Sequence, residues 1–546
     1  MSAFRRVFRI SSCLLFGLAA VAAVSCRRGE PDPGAPPPRR RFETVELVER
    51  PAFPFAVHLE ASDIAAGKVS FRELFEQGRD LFHAAYNGLD GVGIGRLPDG
   101  TPVHRFSLQP LGFAPLAPSS QSCGGCHNMP VAAAAGLSQT NLLNDPNVDG
   151  VGPFNLRSTT SLHGDGLLQL LSQEITEELQ GIRTEAVEAA RAQAGTAVRL
   201  PLQSKGVSYG EIVAVSDASG EVVLDLGDVV GVDPDLVVRP LAWKGTVPTV
   251  RALVSAAASI AMGMQAEEFV WLRQGADGSL DLDGDGVERE LSVGDVTALT
   301  VYTAAQETPQ ELERLATWGW VAAPSPAQEE QVERGRAAFA EVGCATCHVP
   351  QLELENTVFE EPTARGNGAY YDASLVERGA GYDLERPFRF DLLTDPHEPR
   401  VEPRDGGGAI VRLYGDLKRH AMGRALADPG GPTASITPEV VPLQHEGKVV
   451  LVSADVFLTA ELWGVGNTGP WLHDGRAGSL REAVALHGED APVAVGEPGR
   501  SEAQEARDAF LALPEAGQTD LVAFLLSLRT FSAAPGPPGP PRPPRP

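Results

Sequence analysis

Cys123-Gly-Gly-Cys126-His127 and Cys344-Ala-Thr-Cys347-His348 decide how this chain is read. In a Cys-x-x-Cys-His pentad the two thiols can add across the vinyl groups of a haem, and the adjacent imidazole supplies an axial nitrogen to the iron. A zinc site or a redox dithiol uses paired cysteines without calling for histidine directly after the second one. Two such pentads predict two covalently bound haem c groups, attached through Cys123, Cys126, Cys344 and Cys347, with His127 and His348 on the irons.

The other two of the six cysteines are Cys13 and Cys26. Arg5, Arg6 and Arg9 precede an apolar run from Leu14 to Val24, which reads as a secretory signal and is too short for a bilayer span. Small residues just before Cys26 suggest a lipoprotein site, whose acylated cysteine anchors the protein to a membrane. Ordinary cleavage, leaving a free thiol, is the alternative. Either route exports the chain to the periplasm or outer envelope. With Cys13 lost in the signal, no cysteine pair remains for a structural disulfide.

The net charge is −27, and outside residues 1–41 there are 37 basic and 70 acidic residues, a net −33. That charge excludes nucleic acid as a partner. It suits a small basic electron donor, such as a cytochrome or a cupredoxin, and equally a merely soluble surface.

Composition and pattern divide the chain into a signal (1–26), a Pro/Arg-rich linker (27–50), a first haem c domain (51–315), a second (316–533) and a Pro-rich tail (534–546). A weak repeat links the two domains: Gly78-Arg79-Asp80-Leu81-Phe82 precedes the first pentad and Gly335-Arg336-Ala337-Ala338-Phe339 the second. Val332, Phe339 and Val342 predict an amphipathic helix over 331–342. Leu521, Phe524, Leu525 and Leu528 predict a closing helix from Thr519. A third helix is expected over 165–195. Alternation predicts strands at 211–215, 221–226 and 235–239, within a β insertion at about 200–245. Residues 350–450 read as a loop-rich excursion. The expected fold is mainly α: two cytochrome-c-like haem domains with a small β-rich insertion and long loops.

Several stretches resemble the bacterial di-haem cytochrome c peroxidase superfamily, and within it the branch called di-haem oxidoreductases. They are CGGCHNMP (123–130), RSTTSLHGDGLLQLL (157–171), GVDPDLVVR (231–239), residues 264–268, residues 343–350 and the block 462–488. That block contains Pro470-Trp471-Leu472-His473-Asp474-Gly475-Arg476, followed by Leu480-Arg481-Glu482-Ala483-Val484. The resemblance implies electron transfer between two haem domains, with peroxide reduced at the first haem by electrons passing through the second.

In the peroxidases the residue three places after the Ala-Val pair is a methionine ligand of the second haem. In the related tryptophan-tryptophylquinone-forming enzymes it is tyrosine. Here it is His487, a competent iron ligand, so His348 and His487 form an expected bis-histidine pair, with His420 and Met422 as rivals. The first haem departs from the pattern, because no histidine lies between His127 and Arg157. Its iron is then five-coordinate and open, or takes Met264, Met262 or His163 as sixth ligand. Cleaving peroxide needs an acid/base group, for which Glu174 and Gln173 are the candidates. The alternative to an enzyme is an envelope carrier in which both haems are six-coordinate; a haem-dependent oxygenase is a third reading.

Asp281-Leu282-Asp283-Gly284-Asp285-Gly286 sets carboxylates at alternate positions around a tight turn, within an acidic loop at 281–295, as calcium requires. Ser292 stands where a full EF-hand has glutamate, leaving Glu290 or Asp295 to close a cage. A solvated acidic turn is the competing reading.

Overall fold

The computed structural model describes residues 58–92, 95–96, 102–103, 120–137, 139–141, 156–271, 281, 286–372, 383–394, 401–428, 440–442, 449–490 and 499–531. The signal, Cys26 and the Pro-rich tail lie outside them. Five helices organise the rest: α1 (Phe71–His83), α2 (Asp165–Ala192), α3 (Val293–Ala304), α4 (Pro326–Glu341) and α5 (Glu515–Ser527). No helix among the described residues is long and apolar enough to cross a membrane.

Start signals in the sequence account for three of them. Ser70 and Glu73 form a capping box on α1, Ser292 and Asp295 one on α3, and Ser325 and Gln328 one on α4, with Pro326 in the first turn.

The Gly-Arg-x-x-Phe repeat marks two equivalent helix crossings. α1 crosses α3 at Gly78, where an added Cβ would lie 2.0 Å from the Ala298 carbonyl oxygen and 2.7 Å from Tyr302 Cβ. α4 crosses α5 at Gly335, where it would lie 1.9 Å from the Asp520 oxygen and 2.8 Å from Phe524 Cβ. Only a residue without a side chain lets the backbones approach so closely. Four residues on, Phe82 stands 6.2 Å from the His127 ring and Phe339 stands 6.3 Å from the His348 ring. Each phenyl also packs on its crossing partner, Tyr302 at 5.1 Å and Phe524 at 5.3 Å. One small unit is built twice: helix, pentad, closing helix.

The closing helix of the first unit, α3, has all twelve residues buried. The β insertion is an antiparallel sheet of β1 (Val198–Ser204), β2 (Val207–Ser216) and β3 (Val222–Asp225). The strand expected at 235–239 does not form. Leu236 takes φ +57°, and Arg239 folds back onto Asp233 (3.0 Å) and Asp235 (2.6 Å). The mainly α expectation also needs revision. The excursion after the second pentad carries short paired strands, among them Leu352–Leu354 with Ala409–Val411, Val358–Glu361 with Phe388–Asp391, and Arg419–Ala421 with Val456–Leu458. With eight small sheets among the described residues, the fold is mixed α and β.

One buried knot ties the excursion to the first unit. Arg251 is fully buried and pairs with both Glu268 and Glu361. Beside it, Asp372 accepts from the Thr363 amide (2.9 Å) and the Thr249 hydroxyl (3.2 Å). Burial, offset only in part by the Arg251 charge, pushes Glu361 up to about 8 and Asp372 to about 7. A folded pKa above the unfolded one gives stability that is full below pH 4.5 and is lost as pH rises through 7 to 8. In Glu361→Gln that loss should shrink. Thermal melting from pH 5 to 9 should show the variant gaining on the parent as pH rises, by on the order of 2 kcal/mol at pH 9. A constant difference across that range would refute a titrating Glu361.

Candidate haem-binding sites

The second pentad follows α4 directly. Gly343 takes φ +93°, turning the chain into the one-turn helix Cys344–Thr346. His348 Nδ1 lies 3.1 Å from the Tyr414 carbonyl oxygen, and His487 Nδ1 lies 2.7 Å from that of Ala483. A carbonyl only accepts, so each Nδ1 carries the proton and each Nε2 keeps its lone pair. Burial keeps both rings neutral, pushing His348 down to about 4 and His487 down as well.

The two ring centroids lie 6.5 Å apart, with the ring planes tilted by 56°. Two imidazoles bound to opposite sides of one metal at about 2 Å per bond, with roughly 1.1 Å from nitrogen to ring centre, would sit roughly 6.3 Å apart. Cys344, Cys347, Phe339 and Leu525 line the same cavity of about 660 Å³. The donor set, its spacing and its apolar walls fit a haem.

A part-buried brace fixes Tyr414. The Tyr414 hydroxyl donates to Glu311 (2.8 Å), and Arg336, the arginine of the repeat, donates to that hydroxyl (2.7 Å) and pairs with Glu311 (2.9 Å). Such outer partners set ring orientation and tautomer.

The rival His420 also lines the cavity, but its Nδ1 lies 2.6 Å from Glu502 and its Nε2 2.9 Å from Asp416. Burial alone would lower its pKa. The Asp416 and Glu502 carboxylates outweigh that and hold it up at about 11. As an imidazolium it has no lone pair to offer a metal. Met422 lines the cavity as well.

At the first pentad, Ser122 caps the short helix Cys123–Cys126, its hydroxyl accepting from the Gly125 amide (2.9 Å). His127 Nδ1 donates to the Thr160 carbonyl (3.0 Å), and burial pushes its pKa down to about 4. Of the candidate sixth ligands, His163 has both nitrogens against backbone carbonyl oxygens, Glu307 at 2.8 Å and Ala132 at 2.9 Å, so neither nitrogen is open to a metal. Met262 ends a π-helical turn, Ala258–Met262, and its sulfur lies 3.7 Å from Cys123 Sγ. Such turns recur at functional sites. Met264 is fully buried in the core.

Glu174 and Gln173 are engaged elsewhere. Glu174 accepts from the amides of Glu355 (3.0 Å) and Asn356 (2.8 Å) and pairs with Lys205 (2.5 Å). Gln173 donates to Thr363 (3.2 Å). Both bind the excursion to α2, and neither lines the cavity.

In the acidic loop, Asp281 accepts from the Gly286 amide (2.9 Å), while Asp283 and Asp285 lie outside the described residues. Buried Glu290 accepts from both nitrogens of Gln265 (2.7 Å each), and Asp295 caps α3 and pairs with His58. The Ser292-x-x-Asp295 spacing was the sequence signal for that cap.

Sequence reading missed what lies between the two pentads. Asp428 takes a bidentate pair from Arg157 (2.7 and 2.9 Å) and a contact from buried Lys244 (3.1 Å). His473, from the His-Asp-Gly-Arg block, stacks on Phe457 at 4.3 Å, and its carbonyl accepts from the Ser158 amide (2.7 Å). The Trp243 indole donates to the Ser158 carbonyl (2.8 Å). The cavity that holds His348 and His487 is also lined by Ser158, Trp243, Phe457 and His473, and by Thr160, whose carbonyl orients His127. One cavity therefore touches the supports of both histidines.

No family model matches the chain, and no curated protein does. Among solved structures, the crystal structure of a MauG-like protein associated with microbial copper homeostasis matches at 14% identity with a TM-score of 0.27. The match covers 71% of this chain and 95% of that one.

Proposed function

We propose that this chain is an exported two-haem c-type electron-transfer protein. The observation that carries the reading is the close pair His348 and His487, each with Nδ1 committed to a carbonyl and Nε2 left with its lone pair. Haem attached at Cys344 and Cys347 supplies a one-electron couple there, and two imidazoles give it a lower potential than a methionine would. The protein's own part is to hold both rings in one tautomer, keep them neutral by burial and wall the pair with Phe339, Leu525 and Leu480 against water. At the first pentad, Thr160 and Phe82 do the same for His127. The acidic body supports a basic redox protein as the electron donor, and acylation at Cys26 would tether the chain to a membrane.

Reduction of peroxide at the first haem is the second reading. It is favoured by the absence, among the described residues, of a second imidazole in ring contact with His127 as His487 is with His348, and by the engagement of both His163 nitrogens. Haem assay of the purified protein should give two covalent haems per chain. The ferric EPR spectrum should contain a low-spin signal from paired imidazoles. One haem per chain, or a high-spin signal alone, would overturn the proposal. Consumption of peroxide by the pre-reduced protein, well above that of free haem, would move the assignment to the second reading.

A further inference from the structure

Asp165 and Glu461 both line the cavity shared by the two sites. Asp165 is 4% exposed, at the first position of α2. Glu461 points a buried oxygen, Oε1, that finds no hydrogen-bond partner among the described residues. Among those residues no ion pair reaches either carboxylate.

We infer that Asp165 and Glu461, two buried carboxylates on one cavity, together bind a proton from solvent as an electron reaches the haem site of His348 and His487. This deepens the electron-transfer reading and rests on it. The balance is simple. With haem bound at Cys344 and Cys347, one electron from a donor protein would reduce the group, one solvent proton would bond to a carboxylate oxygen, and the net charge at the cavity would stay constant. Burying an extra negative charge uncompensated would be far more costly.

Burial, then the nearby Glu461 charge, pushes Asp165 well above the ordinary carboxylate range, and burial pushes Glu461 up to about 7. The other charged or titratable groups facing this space are committed. His420 is held by Asp416 and Glu502, Arg507 by Asp490 and Asp508, and Glu505 by Arg500. His473 stacks on Phe457 beside Asp428, and His163 and the ligand pair His348 and His487 are kept neutral by burial. The positive end of α2 favours the Asp165 anion, but burial outweighs it. The pair is left as the group with a proton to exchange near neutrality.

The test is the midpoint potential of the second haem from pH 6 to 9 in the full-length holoprotein. One proton per electron gives a tenfold change per pH unit, 59 mV for a one-electron couple. The parent should show at least half that slope, and the double variant Asp165→Asn/Glu461→Gln should be nearly flat. A flat parent, or a double variant as steep as the parent, overturns the inference. If the double variant does not fold, redox-difference infrared spectra of the parent decide it. A protonated-carboxyl band should grow on reduction and weaken in Glu461→Gln; its absence overturns the inference. Haem count and low-spin EPR on the same samples keep the two levels apart. Their loss would sink the electron-transfer reading, whereas a flat potential with both haems intact would sink only the proton pair.

Discussion

Replacing His487 with alanine should leave the second haem covalently attached but open on one face. Cys344 and Cys347 still hold the group and His348 still has its Tyr414 carbonyl, so the change is confined to the facing ring. The ferric low-spin signal of that haem should become high-spin, and cyanide or added imidazole should bind there at least tenfold more tightly. Imidazole should restore the parental spectrum, because the space vacated has its shape. His487→Met should remain six-coordinate with a raised potential, since methionine ligation raises it. A parental spectrum in His487→Ala would mean that another residue, with Met422 the nearest in kind, is the ligand. His420→Ala should leave the spin state unchanged, because that ring is committed to Asp416 and Glu502.

The second large effect concerns stability. Gly335→Ala drives a methyl group to within 1.9 Å of the Asp520 oxygen, which is backbone and cannot swing aside. α4 and α5 must then separate, loosening Phe339 and Phe524 over the second pentad. A loss of about 3 kcal/mol is expected, at the upper end for overpacking, and melting should be several degrees lower. Gly181→Ala provides the contrast. It lies inside α2 with nothing within 4 Å of an added Cβ, so it should be neutral or stabilise by up to about 1 kcal/mol. Equal melting temperatures for the two variants would show that the crossing is not held by contact at Gly335.

Much of this architecture was legible because it repeats or alternates. The pentads, the Gly-Arg-x-x-Phe signature, α4, α5 and the strands β2 and β3 all announce themselves by fixed spacing. α3 did not, for a physical reason: a helix buried on every side has no polar face and hence no stripe to read. Its capping box was visible, but Asp295 looked like one more acid in an acidic loop. The strands of the excursion are three or four residues long, too short for alternation to stand out from loop. Glu174 and Gln173 were chosen by residue type and position alone, whereas their partners at 355, 356 and 363 are set by tertiary folding. The Asp165 and Glu461 pair was out of reach for the same reason, since nearly three hundred residues separate two side chains that share one wall.

The crossings also dictate an order of assembly. In both units the helix that covers the pentad comes late in the chain: α1 ends at His83 and meets α3 only from Val293, and α4 ends at Glu341 and meets α5 only from Glu515. On the proposed export, a chain threading outward from its N-terminus would present each pair of thiols long before its cover exists. Contacts so distant in sequence also form slowly, because a long loop must close first. For the proposed haem protein that interval would be a loading window, in which thioether bonds could be made on an open chain before the last helix shuts the site.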